Sequence, residues 1–187
     1  MKVAAALLLA AGVAHADPDR HAVESASEAN LETKAPRAGM TFAAAAGGGL
    51  IISKGQTARV PTLSLRLGHV ATASTVVFAE LVGGTYAHKQ ATMGDTYIDS
   101  QVSFLIGAQV YIAPSVWLRG GGGVGTHNVD DGSGMTPHGG LSGVGGAGVD
   151  LVRWRYVVLG VEGFYTGTFA RGGFTSLGGL SLGLSYY

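Results

Sequence analysis

From about Gly39 to Tyr187, the sequence is a succession of strand-length segments in which apolar residues alternate with small or polar ones. Alternation with a period of two is the pattern of a β-strand that has two different faces. The pattern divides into eight segments, at about 39–53, 57–71, 75–89, 95–112, 116–129, 138–152, 155–169 and 173–187. A bilayer admits only structures that pair their backbone polar groups internally, and an even number of antiparallel strands can close to do so. The sequence therefore predicts an all-β fold, an eight-stranded antiparallel up-and-down transmembrane β-barrel.

The second segment indicates which face of the barrel meets lipid. Leu63, Leu65 and Leu67 share one face, whereas the other face carries small and polar residues that include Arg66. The eighth segment repeats this arrangement with Leu180, Leu182 and Leu184. A secreted soluble barrel would bury its apolar face and present charges outside, but only 13% of the residues are charged. The 32 glycines also suit the narrow interior of an eight-stranded barrel.

The first 38 residues differ from this pattern. Lys2 precedes an apolar run over 3–13 and then Ala14, His15 and Ala16, which is the order of a secretory signal. We therefore expect a signal peptide over 1–16, followed by a charged, flexible periplasmic lead-in over 17–38 and the barrel over 39–187. The chain contains no cysteine, so disulfides do not contribute to its stability after export.

The lengths of the connections suggest an orientation in the membrane. If the first strand starts in the periplasm, the short connections fall on the periplasmic side and the longer ones on the outside, as in known barrels. The longest runs from Asp130 to His138 and is rich in Asp, Gly, Ser and Pro. We expect this external loop, with Asp130, Asp131 and His138, to be a surface for interaction.

Aromatic residues cluster near the predicted periplasmic ends of the strands. Trp and Tyr prefer the membrane-water interface, where an apolar ring and a polar group are both satisfied. The sequence therefore predicts an interface girdle that consists of Tyr111, Trp117, Trp154, Tyr156, Tyr186 and Tyr187.

Four charged residues fall near the middle of strands: Arg66, Glu80, Arg119 and Glu162. A charge that faces lipid at the middle of the bilayer costs about 2–4 kcal/mol for Arg, so lumenal positions are strongly favoured. If the second hairpin turns at about Ala73, Arg66 and Glu80 become direct cross-strand partners. We predict a lumenal ion-pair network, which either fills and rigidifies the barrel or rearranges to let small ions pass.

The sequence carries no recognisable catalytic or metal motif, and we predict no catalytic residues, no metal site and no cofactor. His88 and His127 lie near the predicted outer rim, where an enzyme acting on lipopolysaccharide could work, but their spacing forms no triad. The formal net charge of zero gives no basic patch for nucleic acid, so nucleic-acid binding is excluded.

With its eight alternating segments, lumenal Arg and Glu, and an aromatic C-terminal end, the chain resembles the small outer-membrane β-barrels typified by the transmembrane domain of outer membrane protein A. The resemblance covers residues 39–187 and the signal peptide. It implies a final strand that the barrel-assembly machinery recognises, with a terminal aromatic residue such as Tyr187. The apolar positions Leu180, Leu182, Leu184 and Tyr186 run one residue out of step with that pattern.

The leading hypothesis is a non-enzymatic outer-membrane barrel with a filled polar lumen, which acts in a structural or surface-interaction role through its external loops. We expect its partners to be outer-membrane lipid and lipopolysaccharide, with the assembly machinery during insertion. A closed barrel has no free strand edge, so we expect a monomer. The alternatives are a narrow ion channel gated by the lumenal Arg and Glu residues and, third, a lipid- or lipopolysaccharide-modifying enzyme.

Overall fold

The computed structural model of the protein describes residues 37, 39–53, 56–89, 96–130, 135–171 and 173–187. Its strands are β1 (Met40–Ser53), β2 (Gln56–Thr72), β3 (Thr75–Lys89), β4 (Thr96–Tyr111), β5 (Val116–Asp130), β6 (Met135–Trp154), β7 (Val157–Ala170) and β8 (Gly173–Tyr186). Each strand pairs antiparallel with the next, and β8 pairs with β1, so the sheet closes into a barrel. The predicted eight-stranded up-and-down barrel is confirmed. The predicted signal peptide and lead-in, apart from Arg37, lie outside the described residues.

The alternation along the strands separates an apolar exterior from a small and polar interior. Leu63 and Leu67 are each 55% exposed on the outside of β2, whereas Ser64 and Arg66 between them are buried in the lumen. The same parity holds along β8, where the outward residues are Leu180, Leu182, Leu184 and Tyr186. Tyr187 therefore belongs to the inward parity, and the outward face of the last strand ends on Tyr186.

The two ends of the barrel differ in their connections. One end, called here the turn end, carries the connections 73–74, 112–115 and 155–156 together with the start of β1 and the end of β8. The other, the loop end, carries the connections 54–55, 90–95, 131–134 and 171–172. Within the described ranges, no helix has the length and apolar character needed to cross a membrane.

The β5–β6 connection is shorter than the sequence suggested. β5 continues to Asp130 and β6 begins at Met135, so His138 lies within β6, opposite His127 on β5. The expectation that His138 belongs to the external loop is therefore wrong, because the backbone ladder between the two strands extends past it. Pro137 does not stop this extension: it lies beyond the β6–β7 ladder, which begins at Gly140, and proline is tolerated where a strand pairs on one side only.

A β-bulge in β6 determines where Trp154 points. The β6–β7 register shifts between Asp150 and Val152, so Leu151 is an extra residue on the β6 side. Asp150 lies inside, while Leu151 and Val152 are both exposed on the outside. An inserted residue reverses the inward and outward parity of the residues after it, and Trp154 consequently faces outward.

The run of four glycines at 120–123 lies where β4 and β5 approach closely. A methyl group on the inward Gly123 would overlap the Phe104 carbonyl oxygen, and one on Gly121 would lie 2.7 Å from the Ile106 carbonyl oxygen. The outward Gly122 has more room, because its nearest neighbour would be the Ser142 carbonyl oxygen at 3.8 Å. Only the inward glycines of this run are thus required by the backbone of the neighbouring strand.

We expect Gly123→Ala to lower the free energy of unfolding by about 1–3 kcal/mol, the usual cost of forcing extra atoms into a packed position. Gly122→Ala, one residue away on the opposite face, is the matched control and should leave stability unchanged. The measurement is urea unfolding of the refolded barrel in lipid vesicles, followed by the electrophoretic mobility of unboiled samples. Equal midpoints for the two variants would contradict the close contact at Gly123.

Candidate functional site in the barrel lumen

Four charged side chains meet inside the barrel at the level predicted for the lumenal network. Arg66 lies on β2, Glu80 on β3, Arg119 on β5 and Glu162 on β7, all on the inward parity of their strands. Arg66 and Glu80 stand directly opposite each other in the β2–β3 register. All four side chains are buried, at 1% to 6% exposure, so the lumen shields them from solvent and from lipid.

Each arginine of this group, the charge cluster, is close to both glutamates. Arg119 Nη1 donates a 2.7 Å hydrogen bond to Glu80 Oε1, and Arg119 Nη2 lies 3.4 Å from Glu162 Oε1. Arg66 Nη2 donates to Glu162 Oε2, and Arg66 Nε lies 3.8 Å from Glu80 Oε1. The two positive and two negative charges cancel, which reduces the cost of holding them in a low-dielectric interior.

Neutral polar groups bind the charge cluster on both sides, and Gln109 and Tyr111 connect it to the turn end. Ser64 Oγ donates to Glu80 Oε1 at 2.7 Å, and Arg66 Nη1 donates to Gln109 Oε1 at 3.0 Å. Gln109 Nε2 in turn donates to the Tyr111 hydroxyl at 3.0 Å. A cavity of about 20 Å³, lined partly by Arg66 and Gln109, has room for about one water molecule.

Apolar layers lie on both sides of the charge cluster. Toward the loop end, a layer of buried apolar side chains fills the lumen, and its members are Ile51, Val60, Val82, Leu105, Val144, Phe164 and Leu177. Toward the turn end, Val76, Tyr111 and Trp117 form a second layer, against which Val70 and Tyr187 pack. The charges are therefore enclosed between two layers of packed, mainly apolar side chains.

A second polar group lies beyond the apolar layer, nearer the loop end, and the sequence-based prediction missed it. Ser142 Oγ lies 2.8 Å from Ser103 Oγ and 3.0 Å from Thr168 Oγ1, and Gln101 Nε2 donates to the same Thr168 oxygen at 3.2 Å. His127 Nδ1 lies 3.3 Å from Thr175 Oγ1. The inward parity of these residues was readable from the alternation, but their partners across the barrel were not.

The six aromatic residues predicted as an interface girdle divide between two places. Trp154, Tyr156 and Tyr186 are 56%, 41% and 54% exposed on the outside, and the rings of Tyr156 and Tyr186 are 6.1 Å apart. The girdle prediction is wrong for the other three residues. Tyr111 and Trp117 are buried in the lumen, and the Tyr187 hydroxyl lies 2.6 Å from that of Tyr111. Their parity matches that of Gln109 and Arg119, which turns them inward.

Comparison with known proteins found similar solved structures but no relative by sequence. The sequence matches no protein-family profile and no curated protein. Ail, the attachment invasion locus protein of Yersinia pestis, solved with the heparin analogue sucrose octasulfate, is similar with a TM-score of 0.57 and 14% identity, over 80% of this chain and 100% of that one. Neisserial surface protein A is similar with a TM-score of 0.59 and 14% identity, over 79% and 96%.

The chain has the fold of the small outer-membrane β-barrels. At these identities the likeness extends to the fold and no further. It agrees with the resemblance found in the sequence, since the neighbours are barrels of the same small eight-stranded kind.

The other sequence-predicted site residues of this outer-membrane-type barrel are more scattered. The side chain of Asp130 and the whole of Asp131 lie outside the described residues, as does the side chain of His88. His127 is buried in the lumen, close to the loop-end terminus of β5. Among the described residues, no three His, Cys, Asp or Glu side chains group in a way that could hold a metal ion.

Breaking the charge cluster at one carboxylate should destabilise the barrel strongly. We expect Glu80→Ala to lower the free energy of unfolding by about 3–5 kcal/mol, because Arg66 and Arg119 would then share a single buried carboxylate. Combining Glu80→Leu with Arg119→Met, which removes one charge of each sign, should recover much of that loss.

Urea unfolding in lipid vesicles is again the measurement, with Arg171→Ala as the control because Arg171 is exposed at the loop end. A Glu80→Ala variant as stable as the control would show that the charge cluster contributes nothing to folding.

Proposed function

We propose that this protein is a bacterial outer-membrane barrel with a filled lumen, and that it acts in a structural or surface-interaction role through the connections at its loop end. The observation that carries the proposal is the sequence of layers in the lumen. From the turn end, the lumen holds the layer of Val76, Tyr111 and Trp117, then the charge cluster, and then the apolar layer around Leu105. These three layers together would form a packed core beneath the loop end. A barrel built in this way is suited to presenting a surface.

The exterior supports a membrane location. Large apolar side chains are exposed around the outside, among them Ile106 at 67%, Leu141 at 73% and Leu180 at 69%. A soluble protein rarely exposes contiguous apolar surface on this scale, whereas lipid covers it without cost. The exposed aromatics Trp154, Tyr156 and Tyr186 near the turn end suit the interface between lipid and water. Lipid and lipopolysaccharide are then the partners of this belt.

The structural neighbours support a surface role. One is named as an attachment invasion locus protein and the other as a neisserial surface protein. In the present chain the corresponding surface would be formed by the loop-end connections 54–55, 90–95, 131–134 and 171–172. The outward face of β8, with Leu180, Leu182, Leu184 and Tyr186, is the face we expect the barrel-assembly machinery to recognise.

Thiol labelling tests the location and the orientation together. The chain contains no cysteine, so one introduced cysteine is a unique label. We expect a membrane-impermeant maleimide to label the Arg171→Cys variant on intact cells but not the Ala73→Cys variant, because these exposed positions lie at the loop end and the turn end. Permeabilised cells, in which both variants should react, are the control. Labelling of the Ala73→Cys variant alone would invert the orientation.

Conductance in planar bilayers tests the filled lumen. We expect the purified protein to give no sustained channel openings, because the two apolar layers exclude water from the lumen on either side of the charge cluster. A heat-dependent shift in electrophoretic mobility confirms in parallel that the sample is a folded barrel. Steady openings in the folded protein would contradict the proposal.

A narrow ion channel is the second candidate, and one observation favours it. Arg119 reaches both Glu80 and Glu162, and so does Arg66, so the ion pairs could exchange partners without leaving a charge alone. Under this candidate the protein conducts, and Glu80→Gln or Arg66→Ala changes the conductance. Under the leading proposal the protein is silent, and both variants remain silent.

A further inference from the structure

The mouth of the lumen at the turn end holds an arginine that does not belong to any strand. Arg37 precedes β1, and its Nη2 donates a 3.0 Å hydrogen bond to the Pro114 carbonyl oxygen and a 3.2 Å bond to Asp150 Oδ2. Its guanidinium carbon lies 3.4 Å from the centre of the Tyr111 ring and 5.6 Å from that of Tyr187. The side chain is 11% exposed, so it is largely enclosed by these groups.

The groups around Arg37 are held in place by the barrel itself. Asp150 accepts hydrogen bonds from Trp117 Nε1 at 3.2 Å and from Arg153 Nη2 at 3.3 Å, and its backbone nitrogen donates to the Ser115 carbonyl oxygen at 2.7 Å. The Tyr111 hydroxyl is fixed between Gln109 and the Tyr187 hydroxyl. The carboxylate and the aromatic face are thus preorganised by residues of β4, β5, β6 and the chain end.

The chemistry of this pocket fits a planar cation. An aromatic face on one side favours a guanidinium, which can stack on it, and a carboxylate together with a carbonyl oxygen accept its in-plane N–H groups. An ammonium is a compact charge that could make the ion pair but could not fill the stacked position. The arrangement therefore distinguishes guanidinium from other cations by shape as well as by charge.

We propose that the turn-end mouth is a guanidinium-binding site, which the chain fills with its own Arg37. The occupant comes from the segment before β1, whereas the site is built from β4, its following turn, β6 and the last residue of the chain. Filling the site ties the start of β1 across the mouth of the closed lumen. When the Arg37 side chain is removed, a free guanidinium ion should be able to take its place. Tyr111 and Asp150 would still be held by their other hydrogen bonds.

The chain has two tryptophans, and the fluorescence of one of them can report on the occupancy of the site. Trp117 donates to Asp150 within the site, whereas Trp154 is exposed on the outside, so a Trp154→Phe background leaves one reporter beside Arg37. In that background we expect Arg37→Ala to change the emission of Trp117. We also expect the midpoint of thermal unfolding in detergent to fall by about 2–6 °C, because a stacked, partly buried ion pair is lost.

Chemical rescue then tests specificity for the guanidinium group. Millimolar methylguanidinium should restore the emission of the Arg37→Ala variant, and methylammonium at the same concentration should not. Arg155→Ala is the matched control, because Arg155 stacks on Tyr156 at the same end of the barrel, at 5.0 Å, but lies outside the pocket. Its emission should not respond to either cation.

Three results would overturn the proposal. They are an unchanged emission and midpoint in Arg37→Ala, equal rescue or no rescue by the two cations, and a response of the Arg155→Ala control. If Arg37→Ala does not yield a folded barrel, Arg37→Gln gives the same comparison, because it keeps much of the side-chain length and removes the cation from the site. Failure of Arg37→Gln to respond selectively to methylguanidinium would then reject the site.

Discussion

The closed backbone ladder is the constraint on which the rest of this structure depends. A strand in a bilayer has no water to satisfy its edge, so β8 must return to β1, and it pairs with it along twelve positions from Phe42 to Ser53. Closure at eight strands fixes a narrow interior. The side chains then have only two environments, a wide apolar belt outside and a lumen in which each additional atom must fit against the opposite wall.

The narrow lumen explains why its four buried charges contact and neutralise one another. Arg66 and Arg119 are neutralised by two glutamates on β3 and β7, which connects four strands through one cluster. Because buried ion pairs contribute little net stability compared with apolar packing, we expect their main effect here to be on the specificity of strand pairing. A slip of one residue in the pairing of β2 would turn Arg66 toward lipid, which costs far more than the loss of one contact.

The alternation alone predicted the strands and their faces, because burial on one side and lipid on the other enforce a period of two. It also placed Arg66 opposite Glu80, since a turn near Ala73 determines that register. Tyr111 and Trp117 were assigned to the interface from their closeness to a turn, although their parity already turned them inward. The outward direction of Trp154 depends on the bulge at Leu151, and a bulge leaves no clear mark in a single sequence. The contacts of Arg37 had no sequence signal either, because its partners Pro114 and Asp150 lie 77 and 113 positions farther along the chain.

The layers lie one after another along the lumen, and this order favours a closed core over a path for ions. A path for ions would need the turn-end layer around Tyr111 and Trp117, the charge cluster and the apolar layer around Leu105 to open together. Rearranging the ion pairs alone would leave both apolar layers in place. The same packing would suit a protein that presents a surface. Strands joined by ion pairs and hydrogen bonds inside the barrel would keep the loop end in a defined geometry. This order of layers is the reason for our proposal that the charge cluster belongs to the scaffold that supports the loops rather than to a gate.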